Sequence, residues 1–198
     1  MIGIIDTGSK NIGSILNCLK YLKIKNKLIQ NIKEIDKNIT HIVLPGVGNF
    51  QNVIQTLNSK GFEKKKIKKI IDKKKTLAIC VGMQILFDTS DESKISGLGY
   101  LKGKVRSLKK LKCKDTIPHI GFNSIKVNKN INLKFLKEKD FYFVHSYSLE
   151  KINLKKKDKD FVIGTTFHGN IDFISLIISK NLIATQFHPE KSGISGIE

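Results

Sequence analysis

Three residues have the types and spacing of a covalent hydrolytic site: Cys80, His188 and Glu190. Cys80 closes the apolar run Thr76-Leu77-Ala78-Ile79 and precedes Val81-Gly82-Met83-Gln84-Ile85-Leu86-Phe87, which opens like a helix. A sharp strand-to-helix turn there lifts the thiol out of a sheet, a nucleophile elbow with sulfur in place of oxygen. The dipole and free N–H groups of the following helix would favour the thiolate and face a developing oxyanion. Taken alone, a cysteine in an apolar strand reads as core. The far end of the chain changes that balance. Ile183-Ala184-Thr185-Gln186-Phe187 is another strand pattern, and it runs into His188-Pro189-Glu190. A thiol nucleophile needs a base and the base needs an orienting group; a histidine at a strand end with a carboxylate two residues on provides both.

Residues so far apart need a scaffold that joins distant strand ends, and the patterning describes one. Ile2–Asp6 reads as a buried strand, and residues 11–22 as a helix with Ile12, Ile15, Leu16, Leu19 and Leu22 on one face. Short strands follow at Lys27–Gln30 and His41–Leu44, the latter ending in Pro45-Gly46-Val47-Gly48-Asn49-Phe50. A helix through Val53, Ile54 and Leu57 stops at Gly61, and a basic helix spans 62–75 with Ile67, Ile70 and Ile71 inward. Strands alternating with helices indicate a parallel α/β sheet. After Phe87 come a polar loop (88–96), a turn at Gly97-Leu98-Gly99-Tyr100, and strand-like segments at 103–108, 120–127, 140–147, 161–167, 173–178 and 182–187. These add β-structure to the same sheet, so a single domain is expected over residues 1–198; residues 151–160 read as a lysine-rich loop. In open α/β sheets the ligand crevice lies outside the carboxyl ends of the strands. Cys80, the Pro45–Asn49 loop and His188 all fall at such ends, and Gly46 and Gly48 allow close backbone approach or simply a tight turn.

Composition narrows the function classes. The chain carries 36 basic against 17 acidic residues, a net charge of +19, yet Arg106 is the sole arginine. Base and phosphate readers favour the planar arginine fork, so the scattered lysines read mainly as solvated surface, with no nucleic-acid partner expected. No apolar run reaches bilayer length and the N-terminus enters a strand directly, so neither a membrane partner nor a signal peptide is expected. Three unpaired cysteines, Cys18, Cys80 and Cys113, suit a reducing cytoplasm. No Cys/His set has metal-ligand spacing, and the phosphate-binding and dinucleotide fingerprints are absent, so no cofactor and no metal are expected. His119, His145 and His168 could each be structural, and His41 reads as a surface residue.

Cys80 on its elbow together with His188-Pro189-Glu190 resembles the class I (triad) glutamine amidotransferases. Seven separated stretches narrow the resemblance to the HisH-type glutaminase subunits of imidazole glycerol phosphate synthase: Ile4–Ser14, Leu44–Phe50, Cys80–Gln84, Gly97–Gly99, Pro118–Asn123, Tyr142–Tyr147 and Gln186–Ser192. The resemblance implies a flavodoxin-like three-layer sandwich with a central, mostly parallel sheet and added antiparallel strands. It implies that Cys80 attacks the glutamine side-chain amide to form a thioester, that His188 relays protons and that Glu190 orients it. Val81 and the Gly46-Val47-Gly48 loop would hold the oxyanion. Gln84, Glu92 and Ser146, with backbone at Gly48, Tyr142, Val144 and His145, would grip the glutamine. Ammonia would pass through a tunnel to a HisF-like (β/α)8-barrel cyclase making imidazole glycerol phosphate for histidine biosynthesis, in a cytoplasmic heterodimer. Pro118, His119, Phe122, Asn123 and Lys191 would lie near that partner.

The chain also departs from the family pattern. Thr7 stands where an aromatic is usual, Lys10 and Ala78 where glycines are usual, and Phe122 where a tryptophan is usual. The family also continues into a final helix beyond the position of Glu198. These departures spare the catalytic groups but leave the partner interface open, and with it a paralogous reading: a glutaminase feeding a sugar-amidinating synthase of bacterial surface polysaccharides. A reading of another class is a non-catalytic basic binding protein, which would have no use for Cys80, His188 and Glu190 together.

Overall fold

The computed structural model describes residues 1–127, 136, 139–149 and 161–197; the lysine-rich stretch at 151–160 lies outside them. The first half alternates as the patterning requires: β1 (Ile2–Ile5), α1 (Ile12–Tyr21), β2 (Asn26–Ile29), β3 (His41–Leu44), α2 (Phe50–Ser59), α3 (Lys64–Lys73) and β4 (Lys75–Ile79). Each helix forms for a visible reason. Asn49 caps α2, its Oδ1 accepting from the N–H of Gln51 at 2.9 Å, and the helix buries Phe50, Val53, Ile54 and Leu57. It stops at Gly61, whose φ of 79° is the left-handed conformation that ends helices. α3 buries Ile67 and Ile71 and leaves its lysines to solvent.

The second half contributes α4 (Val81–Gln84), β5 (Thr89–Ser90), β6 (Lys104–Ser107), β7 (His119–Ser124), β8 (Lys126–Val127), β9 (Asp140–His145), β10 (Tyr147–Leu149), β11 (Val162–His168), β12 (Ile171–Ile178), β13 (Leu182–Thr185) and α5 (Ile194–Ile197). The main sheet runs β2-β1-β3-β4-β13-β12-β10-β6-β5, with β11 and β8 branching from β12. Pairing is parallel from β2 to β13 and antiparallel from β13 through β12 and β10 to β6. This is the α/β fold expected, a central parallel sheet extended by antiparallel strands. The central strands are buried on both faces, as parallel strands under helices must be; Ile4, Ile5, Leu44, Ala78 and Ile79 are all at most 1% exposed.

Three local departures shape the site. The helix after Cys80 is one turn long and does not reach Phe87. The carbonyls of Ile85, Leu86 and Phe87 accept instead from the N–H groups of Leu98, Tyr100 and Gly99. The segment at 140–147 is broken at Ser146. β9 pairs with β7 in a separate two-stranded sheet, whereas β10 joins the main sheet. The expected strand at 120–127 is likewise split at Ile125. Between the small sheet and β12 lies a second core of Phe141, Phe143, Phe173, Leu176 and Phe187, the aromatic wall on which β9 rests. Finally, β5 forms inside the loop expected at 88–96.

Candidate active site

Strand order brings the chemistry-bearing ends together. β3, β4 and β13 are adjacent and parallel, with Leu44 opposite Ala78 and Ile79 opposite Thr185. The residues that follow, Pro45–Gly48, Cys80 and Gln186–His188, therefore meet outside the carboxyl edge of the sheet. Cys80 sits at φ 52° and ψ −112°, a conformation that costs about 1–3 kcal/mol for a residue with a side chain. Its N–H donates to the carbonyl of Thr185 at 2.7 Å and its carbonyl accepts from Gln84, so the turn is tied on both sides. Backbone packs directly on backbone here: a Cβ on Gly82 would lie 2.0 Å from the carbonyl oxygen of Leu44, and one on Gly46 would lie 2.3 Å from the nitrogen of Gly82. Only glycine fits either position.

His188 and Glu190 stand on the far side of the thiol. His188 is fully buried, and its Nδ1 donates to Glu190 Oε1 at 2.8 Å. That bond leaves Nε2, a buried atom with no hydrogen-bond partner among the described residues. Asn11 at the head of α1 donates a second hydrogen bond to the same carboxylate oxygen at 2.9 Å. Burial alone would push the His188 pKa down, but the sulfur of Cys80 in its anionic form and the Glu190 carboxylate raise it to about 9. Burial likewise works against ionised Glu190, and the His188 and Asn11 hydrogen bonds hold it below the ordinary carboxylate range. The backbone of His188 is pinned to β9, its N–H donating to the carbonyl of Tyr142 at 2.8 Å and its carbonyl accepting from Ser192 Oγ at 2.6 Å.

Cys80 opens onto a cavity of about 270 Å³, small beside the roughly 300–1,000 Å³ of most ligand pockets. The cavity is lined by the loop and elbow residues Val47, Gly48, Val81 and Gln84, by Pro118 and the 144–147 crossover between the two sheets, and by Glu92. Glu92 accepts from the N–H of Phe50 at 2.9 Å, and burial holds its pKa up despite that bond. Val144, His145 and Ser146 line the cavity, but Tyr142 does not. Two residues further back on the outer face of β9, its ring packs against Phe122 at 5.6 Å. The His145 ring is occupied as well: Nδ1 donates to the carbonyl of Tyr147 and Nε2 accepts from His119 Nδ1 at 3.1 Å. Burial lowers the pKa of His145 to about 3 and that of His119 to about 4. Both are therefore neutral at pH 7, whereas His188 keeps its proton there.

The expected oxyanion donors are present but differently engaged. The N–H of Val81 donates to the carbonyl of Gly46 at 3.2 Å, and the N–H of Val47 donates to Ser9 Oγ at 3.1 Å. A partly buried N–H takes an acceptor from the protein where it can. Ser9 Oγ is in turn hydrogen-bonded to Thr7 Oγ1 at 2.7 Å, and both residues are buried. The one-turn α4 also carries little of the macrodipole expected for a long helix.

The residues expected at a partner face divide. Phe122 is 61% exposed, and Ile120 and Phe167 beside it are 60% and 56% exposed. Pro118 and Lys191 are exposed as well. The His119 side chain is not available there: it is 4% exposed and stacks between Phe143 and His168. Asn123 turns its amide inward to the carbonyl of Phe167 at 2.9 Å. The strand alternation of β7 places odd positions inward and even positions outward, which explains both. Sequence reasoning gave no role to Ser9, Asn11 or Gln186. Gln186 Nε2 lies 3.5 Å from Cys80 Sγ, and the available signal was its place two residues before His188.

The surroundings of the site agree with what the chain resembles. The Glutamine amidotransferase class-I family model matches residues 3–195. A relative from Caldanaerobacter subterraneus subsp. tengcongensis, the imidazole glycerol phosphate synthase subunit HisH, is 42% identical over 202 residues, covering 100% of this chain and 94% of that protein. The imidazole glycerol phosphate synthase hisHF of Schizosaccharomyces pombe is 38% identical over 201 residues, and there the chain spans only 36% of the longer protein. A crystal structure of a glutamine amidotransferase superposes with a TM-score of 0.71 over 99% of this chain and 94% of that one, at 14% identity. The chain belongs to the class-I glutamine amidotransferase family.

Proposed function

We propose that the protein is the glutaminase subunit of an imidazole glycerol phosphate synthase, hydrolysing glutamine to glutamate and ammonia for a barrel-type cyclase. The observation that carries this is Cys80 lining a cavity sized for an amino acid, with the hydrogen-bonded His188–Glu190 pair buried behind it. In this reading Cys80 Sγ attacks the side-chain amide carbon and His188 Nε2 delivers its proton to the departing nitrogen, which leaves as ammonia. Water, deprotonated by the same nitrogen, attacks the thioester, and glutamate leaves with Cys80 regenerated. Glu92, a carboxylate in the cavity lining, suits the substrate ammonium. Both N–H groups of Gln84 are used inside the protein, at 3.0 Å to Tyr147 O and to Gln186 Oε1, so only its carbonyl oxygen is offered to substrate. For an oxyanion to be held, the Pro45–Gly48 loop turns so that Val47 and Val81 release their present acceptors.

The partner docks on Ile120 and Phe122 of the small sheet, whose crossover lines the cavity, and on exposed Phe167 of β11. The names of the HisH relatives, at 42% and 41% identity over the full chain, favour the histidine-pathway cyclase as that partner. The test is glutamate release by the chain alone and with a (β/α)8-barrel cyclase loaded with its ribonucleotide, with Cys80→Ala as control. Loss of at least ~1,000-fold in Cys80→Ala and clear stimulation by the liganded cyclase are expected. Turnover that survives Cys80→Ala would move the nucleophile elsewhere, and activity indifferent to the cyclase would reject the pathway.

A further inference from the structure

We propose that Gln186 is a catalytic residue, its side-chain N–H donating to the sulfur of Cys80 and stabilising it as the thiolate. The inference rests on Cys80 being the nucleophile, and it begins from hydrogen-bond accounting. Side-chain amides have two ends that coordinates alone distinguish poorly, so the orientation must come from the network. The carbonyl of Tyr147 can only accept, which fixes the Nε2 end of Gln84 toward it at 3.0 Å. The second N–H of Gln84 then points at Gln186, 3.0 Å away, so the Gln186 end facing Gln84 is its oxygen. The remaining end of Gln186 is therefore Nε2, and it faces Cys80 Sγ at 3.5 Å. Nothing in this chain can be reversed without setting two donors or two acceptors against each other.

Burial gives the contact its consequence. Gln186 is 0% exposed and Gln84 2% exposed, so water does not compete for the N–H. A thiol sulfur is a weak acceptor and a thiolate a strong one, so a buried amide N–H aimed at sulfur favours the anion. The same bond favours departure of the thiolate when water opens the thioester. The elbow pattern assigns this role to a helix dipole, which α4 at four residues does not supply. Gln186 does not line the cavity, so it acts on the sulfur and not on the substrate.

The test reads the thiolate directly, by the pH dependence of iodoacetamide alkylation of Cys80, which needs neither glutamine nor a partner. Gln186→Met keeps the length and removes the N–H; alkylation at pH 7 should fall about tenfold, with the profile displaced to higher pH. Gln84→Met, which leaves Gln186 in place but frees its orientation, should give a smaller change in the same direction. Should either variant unfold, the unaltered chain decides: the side-chain amide resonance of Gln186 should shift with ionisation of Cys80, and the shift should vanish in Cys80→Ala. An unchanged alkylation profile in a folded Gln186→Met, or a pH-independent amide resonance, overturns the proposal while leaving glutaminase activity standing. Conversely, slowed alkylation in a chain that never releases glutamate would support the Gln186 contact and reject the enzymatic reading.

Discussion

On the proposed function, in which the Pro45–Gly48 loop turns to hold an oxyanion, Ser9→Ala is the most informative perturbation. In the resting arrangement Val47 N–H donates to Ser9 Oγ at 3.1 Å, and that hydroxyl is held in place by Thr7 Oγ1 at 2.7 Å. Turning the loop toward substrate breaks the Val47–Ser9 bond, so the bond stabilises only the closed form. A neutral hydrogen bond of this kind contributes about 1 kcal/mol net. Its removal multiplies the open population by about five, provided the open form is the minor one. Glutamate release by the isolated chain at saturating glutamine should therefore rise about fivefold in Ser9→Ala. The rate with liganded cyclase, where the loop is already turned, should hardly change. Thr7→Val combined with Ser9→Ala should behave alike, because it also removes the hydroxyl that the single variant leaves unpartnered. Basal release that stays flat or falls in a variant of unchanged thermal stability would refute the reasoning, since the hydroxyl would then not restrain the loop.

Two further outcomes follow from the site. In Glu190→Gln the carboxylate that helps raise the His188 pKa to about 9 is gone, so the ring loses its proton at lower pH. The alkaline limb of the kcat/KM profile, expected near pH 9, should move down toward histidine's ordinary value of roughly 6.5; an unmoved limb would show that Glu190 does not act on the ring. Gly82→Ala forces a Cβ to within 2.0 Å of the Leu44 carbonyl oxygen and should lower unfolding stability by about 3 kcal/mol in urea titration. Gly13→Ala, in α1 with nothing within 4 Å, should instead be stabilising by roughly 0.5–1 kcal/mol; equal effects at the two glycines would contradict this account of the elbow.

Periodicity and punctuation made the scaffold legible. Buried parallel strands read as short apolar runs, α1 and α2 as amphipathic stretches, and the C-terminal ends of β3, β4 and β13 as the place for chemistry. What escaped depends on contacts between segments distant in sequence. The elbow helix looked long because Ile85, Leu86 and Phe87 are good helix residues, yet their carbonyls go to Leu98, Gly99 and Tyr100. The resemblance places His119 near a partner beside Pro118, but it pairs with His145 across β7 and β9 and faces the aromatic core, as its reading as a structural histidine allows. No local signal reports that the 140–147 segment changes sheets at Ser146, although that change builds the cavity wall. The register that sets Ile79 beside Thr185, and so Gln186 beside Cys80, is also invisible before the strands are paired.

The two halves of the catalytic apparatus differ in readiness, and the difference follows from which elements carry them. His188, Glu190 and Gln186 hang from β13 and the turn after it, held by Tyr142, Ser192, Asn11 and Gln84 through hydrogen bonds of 2.6–3.0 Å. They are committed to their positions by buried bonds that no small rearrangement replaces. The Pro45–Gly48 loop is held by Ser9 and by the N–H of Val81, bonds that a turned loop exchanges for bonds to substrate. Gly48, exposed and at φ 117° with nothing within 4 Å of its missing Cβ, has the freedom such a turn needs. The cavity is also lined by Pro118, just before β7, and by Val144 of β9, and the same small sheet carries Ile120 and Phe122. A partner seated on that sheet would bear on the cavity lining and on β9, whose Tyr142 carbonyl holds the N–H of His188. On the proposed function, the triad is held by fixed buried bonds while the oxyanion donors come free only if the loop turns, which would suit a subunit whose ammonia is useful only when a partner is there to receive it.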